Sequence, residues 1–264
     1  MSVLSFPPDR RFDLACLGRL AVDLYAQQTG ARLEDATSFA KYLGGSSANI
    51  AFGVARLGLR SAMVSRVGAE QMGKFLTETL QREGCDTSQV QIDPQRLTAL
   101  VLLGLKDRDT FPLIFYRENC ADMAVDAALI SEDFIANCRA LLITGTHLST
   151  PTVRAASSAA LGFAKKHGVV RVLDIDYRPV LWGLTARGDG ETRYVADAHV
   201  TAQLQEMLPR TTPCRLAWES AALDAARTVG VLRCVPVMSS ARQPAMKSSL
   251  INAASTAMSA QFSR

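Results

Sequence analysis

The feature that most constrains this chain is a regular alternation of short apolar runs with longer segments of helical period. Asp13–Leu17, Ala62–Val67, Ala140–Thr144 and Val169–Ile175 are too short for helices and too continuously apolar for strands with one wet face. Between them, Ser47–Leu57, Met72–Glu83 (followed by Gly84 as a stop), Ser131–Cys138 and Thr152–His167 have helical patterning. Strand and helix in turn predict an α/β fold, a parallel sheet covered on both faces. Each parallel strand must be shielded from water on either side, and its return connection needs about a dozen residues. One stretch breaks the rhythm. Leu97–Leu105 and Leu113–Tyr116 flank the charged turn Lys106–Asp109 with no crossover helix between them, which predicts a β-hairpin set as a lid on the α/β core.

The rhythm stops near Arg210, and the charge distribution changes at the same point. The 264 residues carry 29 Lys and Arg against 25 Asp and Glu, a net charge of +4. Residues 1–210 hold 23 of each sign, so the whole excess lies in 211–264, where six basic side chains face two acidic ones. That tail, with 11 Ala and 8 Ser, has no clean strand or helix pattern apart from a broken strand signal at Val229–Val237. It is expected to be poorly ordered or irregularly helical. The neutral body has no basic stripe interleaved with aromatics, which argues against nucleic acid as a partner. No run of about 18 apolar residues and no apolar leader core is present, so a cytoplasmic protein without a membrane partner is expected. Six cysteines are scattered without metal-ligand spacing and are expected to be free and buried.

The strongest local signal is Gly44-Gly45-Ser46-Ser47-Ala48-Asn49, followed by an apolar helix, Gly58 and Gly68. Paired glycines allow close backbone approach to a ligand or a hinge, and Ser46 or Ser47 is placed to cap the helix. Asn49 then falls in the first helical turn, where its amide both donates and accepts. A structural turn is the plain alternative. Gly68 to Phe75 nearly matches a phosphate-cradling loop, but Phe75 stands where a hydroxyl is required, so Gly68 and Gly73 are assigned to a turn and Lys74 to a solvated face.

Polar groups gather just past strand ends, where open α/β sheets bind ligands. Asp23 follows the first strand, and its carboxylate accepts from two hydroxyls or else is a solvated loop acid. Arg117 ends the hairpin and suits a planar carboxylate, with a surface pair to Glu118 as the alternative. Asp174, Asp176 and Arg178 follow the fourth apolar run. His147 follows the third and is placed to face the same region, whereas His167 and His199 read as helix-surface residues.

These blocks together resemble the PfkB, or ribokinase-like, carbohydrate kinase family. Gly44 to Gly68 matches its first signature except at Ser47, and Gly68 to Gly73 resembles its VGxDxxG turn with Glu70 and Gln71 where the aspartate would fall. The segments GRLAVDLY, FAKYLGGSSANIAFG, LTALVLLGLKDRDTFPLIFYRENCADMA and DIDYRPVLW carry the likeness from about Phe12 to Arg210. The resemblance implies a ribokinase-like three-layer α/β/α sandwich over 12–210, with lid strands around 19–43 and 97–116. It also implies ATP and Mg2+ as cofactors, a small-molecule sugar acid as substrate and a possible homodimer through the lid. Asp23 and Asn49 would hold sugar hydroxyls, Gly44 and Gly45 would hinge the lid, and Arg117 and Arg178 would engage a carboxylate. The implied substrate is 5-dehydro-2-deoxy-D-gluconate, phosphorylated on its primary hydroxyl. A kinase of 2-dehydro-3-deoxygluconate, fructose or ribose and a non-catalytic sugar-binding remnant are the alternatives.

The likeness fails after Leu208-Pro209-Arg210. The second family signature, whose Gly-Ala-Gly turn forms an anion hole before a catalytic aspartate, has no match in residues 183–264, and Asp189 in Gly188-Asp189-Gly190 lacks that turn. The catalytic base is therefore unassigned, no metal ligand is identified, and the nucleotide-binding side is expected to be incomplete, as a changed or interrupted reading frame near Arg210 would produce.

Overall fold

The computed structural model describes residues 6–105, 107 and 111–212. Most of the charged turn at 106–109, Cys214, Cys234, the strand signal at Val229–Val237 and the tail expected to be poorly ordered lie outside the described residues. In chain order the strands are β1 (Phe12–Leu17), β2 (Ala21–Ala26), β3 (Phe39–Gly44), β4 (Ser61–Gly68), β5 (Asp86–Asp93), β6 (Ala99–Leu103), β7 (Leu113–Tyr116), β8 (Cys138–Thr144) and β9 (Val170–Asp174). The α-helices are α1 (Ser46–Arg56), α2 (Gln71–Arg82), α3 (Glu132–Ala136), α4 (Pro151–Lys166) and α5 (Ala198–Met207).

Five strands form a wholly parallel sheet in the order β5-β4-β1-β8-β9. Alternate side chains leave it on opposite faces. Ala15, Leu17, Val64, Leu141 and Ile143 enter one core with α4, α3 and α5. Cys16, Met63, Val67 and, partly buried, Leu142 enter the other with α1 and α2. Burial of a Leu, Ile or Val side chain contributes about 1.5–3 kcal/mol, so this double burial explains why β1, β4, β8 and β9 read as largely apolar runs without strict alternation. The result is the expected three-layer α/β/α sandwich.

A second sheet, ordered β3-β2-β6-β7, stands beside the first. Its β6–β7 hairpin is antiparallel, Leu100 opposite Tyr116, as expected. The remaining two strands pair Asp23 with Tyr42, and β2 runs parallel to β6 with Asp23 opposite Val101. This lid is tied to the core at the start of β6, where the Glu70 Oε1 accepts the Thr98 amide at 3.1 Å and Thr98 Oγ1 accepts the Gly68 amide at 3.0 Å. Glu70 thus braces the lid from the turn that the sequence likened to VGxDxxG, and Lys74 is solvated as expected, paired to Glu78 at 3.7 Å.

Two local expectations are corrected. The helix predicted over Ser131–Cys138 is the shorter α3, because Cys138 pairs with Phe12 as the first residue of β8. Neither Ser46 nor Ser47 caps α1; its N-cap is Gly45, without a side-chain bond. Cys16, Cys85, Cys120 and Cys138 are free and buried, as expected. No helix among the described residues is long and apolar enough to cross a membrane.

Ile143 is fully buried in the central part of the sheet, whereas Tyr116 is 55% exposed at the lid. Ile143→Ala is expected to lower unfolding free energy by about 2–5 kcal/mol in chemical denaturation, and Tyr116→Ala by about 0.5 kcal/mol or less.

Candidate functional site

The order of the parallel sheet places the first strand near its middle. The chain steps outward through β4 and β5, then returns to the other side of β1 for β8 and β9. The reversal lies between β1 and β8, and in open α/β sheets the crevice at the carboxyl ends of such a pair is where ligands bind. Here that seam is drawn together by Ser47, fully buried, whose hydroxyl donates to the Leu17 carbonyl at 3.2 Å and meets Thr144 Oγ1 at 3.1 Å. Ser47, the departure from the family pattern, is therefore a brace between two strand ends.

Asp23 lies on β2 where the lid crosses this crevice. A Cβ at position 44 would overlap the Asp23 carboxylate, which would have to turn away from its present place. Position 45 must be glycine: its φ is +98°, and a Cβ would strike the Arg19 carbonyl oxygen. That same carbonyl accepts the Ala48 amide at 3.3 Å. Asn49 follows in the first turn of α1 with its side chain exposed. Burial raises the Asp23 pKa to about 6, against the opposing pull of Arg19. Ionised, this carboxylate can accept from two hydroxyls and restore the solvation it lost on folding.

Arg117 lies directly after β7 and is 5% exposed. Its partner is not Glu118, which reaches Arg187 at 2.6 Å, but Asp122, whose Oδ2 accepts from Nε at 2.7 Å. Asp122 is fully buried in the turn Ala121–Ala124. Both Arg117 Nη atoms are buried and have no hydrogen-bond partner among the described residues. His147, fully buried after β8, meets the Asp122 carbonyl through Nε2 at 3.0 Å. Burial, and then the charge of Arg117, lowers its pKa to about 4, so it is neutral at pH 7. Arg19, the second residue after β1, is 6% exposed and lies over the Phe115 ring at 5.2 Å. Its pKa falls to about 10 through burial and then the charge of Arg117.

At the end of β9, the Asp174 carboxylate accepts the Asp176 amide at 3.1 Å, and burial followed by the charge of Asp176 raises its pKa. Asp176 accepts from Thr146 Oγ1 at 3.3 Å, and Thr146 in turn meets Ser46 Oγ at 3.4 Å. A polar chain thus links α1, β8 and β9. Arg178 is partly buried, and its charge acts on Asp174 and on Arg193. Of the groups read from the sequence, Gly45 lies against the Arg19 backbone, Asp23, Arg117 and Asp176 lie within electrostatic reach of its side chain, Gly44 lies against Asp23, and Arg178 stands in the segment after β9. Arg19 and Asp122 were not read from the sequence. Among the described residues no group of three or more His, Cys, Asp and Glu could hold a metal ion.

Residues 11–197 match the family model described as pfkB family carbohydrate kinase. The chain is 43% identical over 183 residues to 5-dehydro-2-deoxygluconokinase 1 of Bacillus cereus (strain ZK / E33L), which covers 69% of this chain and 55% of that protein. The chain thus spans about half the length of the curated relatives it matches. Its structure is similar to a PfkB protein from Polaromonas sp. JS666 (TM-score 0.67, 26% identity, 76% of this chain and 64% of that one). It is also similar to an uncharacterized sugar kinase from Pyrococcus horikoshii in complex with ATP (TM-score 0.63, 26% identity, 74% and 60%).

The raised pKa of Asp23 carries a stability penalty. Below its unfolded value of 3.8 the group is protonated folded or unfolded and has no effect. As pH rises towards about 6 only the unfolded chain ionises, so folding weakens, by up to about 3 kcal/mol once the folded group also ionises. Asp23→Asn is expected to stabilise the ligand-free protein at pH 7.5 and to lose that advantage at pH 4 in urea denaturation.

Proposed function

The chain belongs to the pfkB family of carbohydrate kinases, and from that footing we propose that it binds a sugar acid in the crevice between the parallel sheet and the lid. The family reaction is ATP-dependent phosphorylation, and 5-dehydro-2-deoxy-D-gluconate is the substrate best matched to this site. The observation that carries the reading is the buried Arg117 guanidinium, whose Nη atoms have no acceptor among the described residues while its Nε is fixed by Asp122. A neutral sugar offers hydroxyls that accept weakly, whereas a carboxylate offers two charged acceptors in the plane of the fork. Asp23 and Asn49 would take the hydroxyls, Gly44 and Gly45 would let the lid strand come close, and Arg178 would approach the acid from β9. The likeness to 5-dehydro-2-deoxygluconokinases supports the choice of acid.

ATP and Mg2+ would supply the transferable phosphoryl group and neutralise its charge. The groups named above act on the sugar side only: they bind, orient and exclude water. Because the sequence has no Gly-Ala-Gly-Asp turn, a second reading is sugar-acid binding without phosphoryl transfer.

Calorimetric titration with 5-dehydro-2-deoxy-D-gluconate, 2-dehydro-3-deoxy-D-gluconate, fructose and ribose tests the substrate class. Selective binding of the acids is expected, with Arg117→Met weakening it by about 10-fold or more and leaving the neutral sugars unaffected. Preference for fructose or ribose would overturn the reading. Sugar-dependent ATP consumption over many turnovers, abolished by Asp23→Ala, would establish transfer and exclude the second reading.

A further inference from the structure

The Arg19 side chain has no part in the sugar-acid reading given above. It stands at the topological reversal, 6% exposed, with its charge opposed by Arg117 and attracted by Asp122, Asp176 and Asp23. Yet its guanidinium makes no hydrogen bond to any described residue, and its Nε is buried without a partner. The ring of Phe115, in the strand that leads to Arg117, lies beneath it. Two largely buried guanidiniums thus stand at one seam, one on the sheet side after β1 and one on the lid side after β7. Among the described residues Arg117 Nε has an acceptor, whereas Arg19 Nε and both Arg117 Nη atoms are buried without one.

Burying a charge without a partner is destabilising unless something else supplies the acceptor. The nearby carboxylates do not: Asp23 and Asp176 act on Arg19 through charge without bonding to it, and Asp122 is spent on Arg117 through Oδ2, its own Oδ1 being unpartnered. His147 is neutral and offers one unpaired nitrogen, Nδ1. Among the described residues no acceptor completes these donors, and an acceptor-rich anion bound at the seam would do so.

We propose that Arg19 is a specificity-determining residue which, with Arg117, clamps a carboxylate of the ligand from opposite sides, and that Asp122 is the positioning residue that presents the Nη edge of Arg117 to it. The identification of that ligand as a sugar acid rests on the preceding subsection; the clamp itself rests on the unpaired donors. Arg19 would then link the core to the lid through the ligand, since its partner in the clamp is carried by β7.

The test uses the full 264-residue protein at pH 7.5 and acetate as the bare carboxylate probe, compared with chloride at equal ionic strength. Acetate is expected to raise the thermal midpoint of the unaltered protein but not that of Arg19→Met or Arg117→Met. Without acetate, Arg19→Met is expected to be at least as stable as the unaltered protein, because an unsatisfied buried charge has gone. In calorimetry the affinity for 5-dehydro-2-deoxy-D-gluconate should fall about 10- to 100-fold in Arg19→Met. Arg19→Lys, which keeps the charge without the fork, should recover only part of it, and Asp122→Asn should weaken the acid while leaving ribose unchanged. An acetate effect that is absent from the unaltered protein or persists in Arg19→Met would overturn the clamp, as would equal losses for acid and neutral sugars. An acetate effect abolished in both arginine variants, together with no affinity for the sugar acid, would uphold the clamp and overturn the sugar-acid assignment.

Discussion

Everything at the site depends on how little chain separates the central strand from the lid. Only Gly18, Arg19 and Leu20 lie between the end of β1 and the start of β2. Three residues cannot make a flexible tether, so the two sheets are fixed relative to one another at the point where the parallel sheet reverses its order. The connection also serves as a surface for packing: its Arg19 carbonyl meets both the Gly45 backbone and the Ala48 amide, which locks the first turn of α1 against it. Helix, lid and core strand therefore meet at one peptide unit, and the groups around it inherit their positions from that meeting.

Such a junction gathers groups that are unfavourable to bury. Asp23 is driven towards its neutral form, Arg19 loses part of its proton affinity and His147 is held neutral. Each shift has burial as its leading cause, so the same dryness that would strengthen bonds to a ligand weakens the protein without one. The two fully apolar cores on either side of the parallel sheet offset this. A site of this kind is inexpensive only because it lies against a sheet buried on both faces.

How much of this was legible in the sequence follows from which residues had to be apolar. The strands β1, β4, β8 and β9 were evident because both of their faces are buried. Strand β5 was not, since DTSQVQID lies at the sheet edge with only Asp93 fully buried and so lacks an apolar run. Helix α5 was missed as well; its buried positions Val200, Gln203, Leu204 and Met207 include a polar one, which dilutes the pattern. Among the site groups, Asp23, Gly44, Gly45 and Arg117 were found through motif and position. Asp122 escaped because its pairing with Arg117 spans five residues across a turn, a spacing that no helix or strand period marks. Arg19 escaped because an arginine after a strand reads as a surface residue, and its burial arises only when the lid folds over it.

The bare backbone at position 44 has one more implication. Because the Asp23 carboxylate fills the volume that a side chain at 44 would need, the two positions share a single space. A smaller residue at 23 would leave room for a side chain at 44, whereas a side chain added at 44 alone would oblige the carboxylate to turn away from where it now lies. The orientation of the acid is thus held in part by what its neighbour across the strand pair lacks.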